Sequence, residues 1–191
     1  MPDGFKKRAM ENALSGRKSP VVLDLGCGPG DYARHLTKLG ATVVSVDLNK
    51  SPGIPNFVVA DAVKLHFKAK SFDAIIAFDV FEHVPDIASA LSNSSRVLRD
   101  DGVILLSVPN DSLLTRLYFT LTLRKPPSRT DPTHVRFLGY LGWRKIFSES
   151  FRIVRVFGQF FTEGGSLKRA VNGMVLFLYQ FTPNIYFLLA K

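Results

Sequence analysis

The chain has 191 residues, 46% hydrophobic and 21% charged, a balance that suits one globular domain over residues 1–191 and excludes a disordered polymer. Lys and Arg number 25 against 16 Asp and Glu, so the net charge of +9 favours anionic partners: nucleic acid, acidic lipid headgroups or an acidic substrate. The single cysteine, Cys27, excludes an intrachain disulfide framework and any multi-cysteine metal site, and it fits a reducing cytoplasm.

The opening MPDGFKKRAMENALSG is charged throughout and has no signal-peptide apolar core. Pro20–Leu25 then reads as a strand apolar on both faces, followed by a helix over Asp31–Leu39 that stops at Gly40. Thr42–Asp47, rich in β-branched residues, and Asn56–Ala60 are the next two strands. Phe72–Asp79 is a fourth. A helix over Pro85–Leu98 follows, with Ile87, Ala90, Leu91, Ser94 and Leu98 at helical spacing. Gly102–Val108 is a fifth strand. A helix at Leu141–Phe147, a strand at Phe151–Phe157, a helix at Leu167–Tyr179 and a strand at Ile185–Ala190 complete the chain. Alternating strands and helices of this kind predict an α/β architecture, a doubly wound and mostly parallel sheet covered on both faces. The uncharged run Ala170–Ala190 superficially suggests a membrane span, but Asn172, Gly173, Gln180 and the Thr182-Pro183-Asn184 turn divide it, so no integral span is expected.

Residues 111–138 break the rhythm. Leu113, Leu114, Leu117, Tyr118 and Leu121 share one face of a helix, and a proline-rich tail follows that cannot continue it. An insertion after a strand's carboxyl end lies over the crevice where open α/β sheets bind ligands, so the segment reads as a lid or substrate-gripping element.

The strongest local signal is VVLDLGCGPGDY. A buried strand enters Gly26-x-Gly28-x-Gly30 and a helix opens at once. Backbone without Cβ can turn sharply there, and the N–H groups of the helix start face a ligand. A dinucleotide fingerprint would place its third glycine at residue 31, where this chain has Asp31, an anion where a pyrophosphate would sit. The pattern from Asp24 to Gly30 is D-x-G-x-G-x-G. It resembles motif I of the class I S-adenosylmethionine-dependent methyltransferases, whose cofactor carries a sulfonium cation and no phosphate.

Two further strand ends agree. Asp47 can accept hydrogen bonds from both ribose hydroxyls, and Leu48 could lie against an adenine face. By the resemblance, Asp61 accepts from the adenine amino group and the Ala62 N–H meets a ring nitrogen. FDAIIAFDVFEHVPD resembles the motif IV region of small-molecule methyltransferases with a D-V-x-E-H-V-type sequence. That likeness implies that the Phe78 backbone faces the methionine amino group and that Asp79 lines the mouth of the site. It also implies a Rossmann-like sheet of seven strands with the last inserted antiparallel; the N-terminal segment carrying Phe5, Lys7 and Arg8 reads either as a cover that closes over the cofactor, as in such folds, or as a solvated helix. The resemblance runs from about Val21 to Asn110 and resumes at HVRFLGYLGWRKIF. Asp24, Gly26, Cys27, Gly28, Gly30, Asp47, Leu48, Asp61, Ala62, Phe78 and Asp79 are therefore the candidate cofactor residues. Cys27 reads as a small loop filler rather than a nucleophile.

Methyl transfer needs alignment of the acceptor and a base only where the accepting atom is weakly acidic. His83, in the E-H-V turn, is either a helix-start hydrogen-bonding residue or a catalytic one. His134, with Asp131 near enough in sequence to orient it, is a candidate base or substrate contact. His35 and His66 read as surface residues. No metal-ligand spacing is visible, and no metal is expected. The phenylalanine content and the apolar lid point to a small or lipid-like acceptor, with peripheral membrane contact. Arg116, Arg124, Lys125, Arg129 and Arg136 on the insertion leave RNA as a second acceptor class, and a non-catalytic cofactor-binding regulatory subunit remains a third reading.

Overall fold

A computed structural model describes residues 4–50, 53–122, 125–158 and 182–191. Seven strands form one sheet in the order β3-β2-β1-β4-β5-β7-β6. They are β1 Val21–Leu25, β2 Thr42–Asp47, β3 Phe57–Val59, β4 Phe72–Phe78, β5 Leu98–Pro109, β6 Arg152–Gly158 and β7 Asn184–Ala190. The pairs β1–β2, β1–β4, β2–β3 and β4–β5 are parallel. β7 lies antiparallel between β5 and β6, as the family resemblance implies. The helices are α1 Gly4–Ala13, α2 Asp31–Lys38, α3 Ile87–Val97, α4 Leu113–Leu121 and α5 Tyr140–Ser148. The helix expected at Leu167–Tyr179 lies outside the described residues. Among the described residues, no helix is long and apolar enough to cross a membrane.

Strand alternation divides the core into two layers. Leu23, Leu25, Ile75 and Ala77 face the side that holds Trp143, Phe147 and Phe187. Val22, Ala74, Ile76 and Phe78 face the side covered by Met10 of α1 and Leu36 of α2. Both faces of β1 and β4 are thus buried, which is why these strands read as nearly continuous apolar runs. The strand order reverses between β1 and β4, so the carboxyl ends of β1, β2 and β4 open onto one crevice.

β5 begins four residues before the sequence reading places it. Its register with β4 jumps from Phe72–Leu98 to Ala74–Val103, leaving Arg99, Asp100, Asp101 and Gly102 as a bulge. The polar R-D-D-G run looks like a turn, yet Asp73 holds it by accepting from Arg99 Nη1 and from the Val21 N–H at 2.7 Å.

α5 anchors the far side of the crevice. Trp143 is wholly buried, stacks on Phe147 with ring centroids 5.6 Å apart and donates its indole N–H to the Pro109 carbonyl at 3.0 Å. Trp143→Ala should therefore cost about 3–5 kcal/mol, read as a lowered urea midpoint. A loss below about 1 kcal/mol would contradict this packing.

Candidate active site

After β1 the chain turns through Gly26, Cys27 and Gly28. The N–H groups of Gly26 and Cys27 both donate to the Val46 carbonyl, at 2.8 and 3.0 Å. Gly26 has φ +70°, and a Cβ there would lie 2.5 Å from Val80 Cγ2, so conformation and space both demand glycine. Gly28, at φ +49°, faces open space, and its N–H donates to Asp47 Oδ2 at 3.0 Å. Gly30 precedes α2, whose first residue, Asp31, is paired with Arg34.

The candidate cofactor residues surround this loop. Asp24 is 1% exposed and its Oδ2 has no hydrogen-bond partner. Burial pushes its carboxyl up to about 7, against the pull of a hydrogen bond from the Ala33 N–H and with a further push from the Asp47 charge. Asp47 Oδ1 accepts from the Asn49 N–H at 2.9 Å. Leu48 beside it is 66% exposed. Asp61 Oδ1 accepts from the Val63 N–H at 3.1 Å and holds the turn that carries buried Ala62. Cys27 is buried, and burial pushes its thiol up to about 12, followed by the charges of Asp24 and Asp47, so it is no nucleophile at neutral pH.

Asp79 closes β4 in the left-handed region, at φ +57°. Ser107 Oγ donates to its Oδ1 at 2.8 Å, and Lys6 Nζ donates to its Oδ2 at 2.9 Å. Lys6 also reaches Tyr32 Oη at 3.0 Å and lies 5.0 Å from the centre of the Phe78 ring. Burial disfavours its charge, yet Asp79, Tyr186 and Tyr32 outweigh that and hold its pKa above the ordinary lysine value. α1 thus covers this end of the sheet through Lys6 and through Phe5, whose ring packs 4.9 Å from Tyr186. Sequence reading named Phe5, Lys7 and Arg8 and missed Lys6; a lysine in a charged stretch carries no mark of burial.

The histidines lie together. The Val135 N–H donates to the Glu82 carbonyl at 2.9 Å and brings the insertion's return against the turn Phe81–His83. The His83 and His134 rings are 4.6 Å apart. Asp131 orients His83, and not His134 as the sequence order suggests. Thr133 Oγ1 donates to Asp131 Oδ1 at 2.6 Å, so it accepts from His83 Nδ1–H at 2.8 Å. His134 Nδ1–H donates to the Ser128 carbonyl at 2.7 Å. Glu82, also missed as a site residue, is 1% exposed, and both its oxygens lack hydrogen-bond partners. Burial, then the Asp79 charge, pushes its carboxyl up to about 8. Asp79, Glu82, His83, Pro109, Thr130, Asp131, His134 and Asn184 line one cavity of about 370 Å³. His66 is exposed, but His35 is no surface residue: it is half-buried with Nε2 3.7 Å from Glu11 Oε1.

The insertion helix turns its polar side inward. Thr115 and Phe119 are the buried residues of α4, whereas Leu113, Leu117, Tyr118 and Leu121 are exposed. The cause is polar: Thr115 Oγ1 joins Ser112 Oγ at 2.9 Å and Asn110 Nδ2 at 3.2 Å, and this network turns Thr115 inward. Buried Asp111 pins the insertion by accepting from Arg116 Nε at 2.8 Å and from Ser128 Oγ at 2.6 Å, with Arg129 Nε 3.7 Å away. Arg136 donates to the Pro85 carbonyl. Three of the five basic residues noted on the insertion are thus tied to the protein's own acceptors; Arg124 lies outside the described residues.

Two outcomes follow from these electrostatics. The folded protein keeps a proton on Asp24 between about 4 and 7, where the unfolded chain, with a carboxyl near 3.8, has lost it, so stability falls as pH rises through that window. Asp24→Asn should remove this decline, up to about 1.4 kcal/mol per pH unit, in urea unfolding series; parallel curves for the two proteins would refute it. Lys6→Met should speed amide exchange across α1 by roughly tenfold, the loss of one buried charge-assisted pair. Unchanged exchange would mean that Lys6 does not hold α1.

The chain matches the family model described as "Methyltransferase domain" over residues 3–150. It is 30% identical over 129 residues to a ubiquinone biosynthesis O-methyltransferase of Pelagibacter ubique, covering 60% of this chain and 51% of that protein. It therefore spans about half the length of the curated relatives it matches. Its fold superposes on a crystal structure of an S-adenosylmethionine-dependent methyltransferase from Archaeoglobus fulgidus with TM-score 0.69 at 20% identity, covering 98% of this chain and 92% of that one. A Burkholderia thailandensis 1,6-didemethyltoxoflavin N1-methyltransferase, solved with S-adenosylhomocysteine bound, superposes with TM-score 0.66 at 18% identity over 99% of this chain and 79% of that one. With the glycine-rich bend, the acidic strand ends and the seven-stranded topology already in place, these matches make the chain a member of the methyltransferase-domain family, of the S-adenosylmethionine-dependent class I fold.

Proposed function

We propose that this protein transfers a methyl group from S-adenosylmethionine to an oxygen of a small or lipid-like acceptor. The observation that carries this reading is the 370 Å³ cavity beside Asp79, walled by the insertion and floored by the β4 end. Its size suits one ring-sized head group. The curated relatives of similar sequence are named as O-methyltransferases of ubiquinone biosynthesis, which supports both an oxygen acceptor and an apolar molecule attached to it.

The residues present fit the cofactor. Gly28 leaves open space where a Cβ would otherwise stand. Asp47 offers lone pairs to ribose hydroxyls, exposed Leu48 offers an apolar surface to adenine, and Asp61 with the Ala62 N–H offers an acceptor and a donor to its edge. Asp24, Gly26, Cys27, Gly30 and Phe78 shape the floor, and Asp79 stands between this cradle and the acceptor cavity. When bound, the cofactor supplies an electrophilic methyl on a sulfonium; the protein supplies alignment and field. A hydroxyl acceptor must also lose its proton. His83 and His134, whose Nδ1 hydrogens are already engaged, have Nε2 lone pairs that can receive it. The exposed apolar residues of α4 support an acceptor drawn from a lipid surface. RNA is less well supported, because Arg116, Arg129 and Arg136 are engaged internally.

Transfer of labelled methyl from S-adenosylmethionine should therefore appear on phenolic acceptors bearing apolar tails and not on RNA. Asp47→Ala should weaken S-adenosylhomocysteine binding by at least about tenfold in calorimetry, the loss of one charged acceptor. Label recovered in RNA alone would overturn the acceptor class, and an unchanged affinity would remove Asp47 from the cofactor site.

A further inference from the structure

Glu82, His83 and His134 each offer one ligand atom, and the three atoms lie within 4.8 Å of one another. Glu82 comes from the interior, 1% exposed, with both oxygens unpartnered. A buried carboxylate beside a second one is costly unless a cation meets it. Lys6 is bonded instead to Asp79 and Tyr32. The two imidazoles are held in one tautomer by different acceptors, His83 through Thr133 to Asp131 and His134 through the Ser128 carbonyl. Each therefore keeps the lone pair on Nε2, and an oriented imidazole with its second nitrogen donating to an oxygen is how metal-bound histidines are held.

We infer that Glu82, His83 and His134 form a site for one divalent transition-metal ion at the wall of the acceptor cavity. Two imidazoles and one carboxylate suit Mn²⁺, Fe²⁺, Co²⁺ or Zn²⁺, whereas Mg²⁺ favours an all-oxygen shell. Ligand atoms around such an ion stand about 3–4 Å apart, so small side-chain rotations complete the set. Three protein ligands leave coordination positions open, and these face the cavity shared with Asp79 and Asn184. An acceptor oxygen bound there would ionise more readily, its proton leaving to solvent. The site was hidden from the sequence because adjacent Glu82 and His83 meet their third partner across distant segments, joined by the Val135–Glu82 backbone bond and the Thr133–His83 hydrogen bond.

The inference deepens the acceptor reading, but ion binding itself is measured without acceptor or cofactor, so the two can fail separately. The chelator-stripped full chain is titrated calorimetrically with Co²⁺, Zn²⁺, Mn²⁺ and Mg²⁺, and Co²⁺ is also followed by its visible absorption. The expected result is one transition-metal ion per chain, Mg²⁺ the weakest of the four, and affinity lowered roughly 100-fold in both Glu82→Gln and His134→Gln. His134 is only half-buried, so its variant serves if the interior substitution unfolds the chain; circular dichroism verifies the fold of each. No saturable binding, tighter binding of Mg²⁺ than of the transition metals, or affinity unchanged in folded His134→Gln would overturn the proposal.

Discussion

The carbonyl of Val46 accepts from two successive N–H groups, those of Gly26 and Cys27, and the rest of the site depends on that anchor. It stops β1 from running on and ties the bend to the neighbouring strand. The next residue can then turn its own N–H to Asp47. One backbone oxygen thus sets the distance between the loop and the carboxylate at the end of β2. The absence of a Cβ at Gly26 allows Val80 to pack beneath the bend, which couples the loop to the end of β4, where Phe78 and Asp79 stand.

Charge is distributed around this bend in a consistent way. Asp24, Asp47, Asp61 and Asp79 all stand at or near the carboxyl ends of strands, on the side where the sheet opens. A pyrophosphate would meet repulsion there, whereas a cationic nucleoside would not. The buried cation on this side, Lys6, is bonded to Asp79 and does not neutralise the floor. Burial instead pushes the carboxyls of Asp24 and Glu82 toward their protonated forms. Buried groups of this kind cluster at functional sites more often than elsewhere.

Much of the fold was legible in the sequence. β1 and β4 are buried on both faces and read as apolar runs; α3 announces itself by its periodicity and is capped by Asp86, which accepts from the Ser89 N–H. The antiparallel β7 came from family likeness, because no local pattern distinguishes strand direction. The start of β5 was not legible, since its bulge is stabilised by Asp73 from another strand. The glycine loop and its acidic partners were legible because each is written in a short contiguous stretch. Lys6, Glu82 and the pairing of His83 with His134 were not: each depends on a contact between distant segments. Nor was the orientation of α4 legible, as the polar network around Asn110 and Ser112 turns Thr115 inward and leaves Leu113, Leu117 and Leu121 exposed.

A crystal structure of the protein with S-adenosylhomocysteine tests the central claim most directly. The account predicts the nucleoside over Gly28, with both ribose hydroxyls on the Asp47 carboxylate and the adenine edge at Asp61 and Ala62. A nucleoside bound elsewhere, or a dinucleotide accommodated with its diphosphate against the Gly26–Gly30 bend, would contradict it.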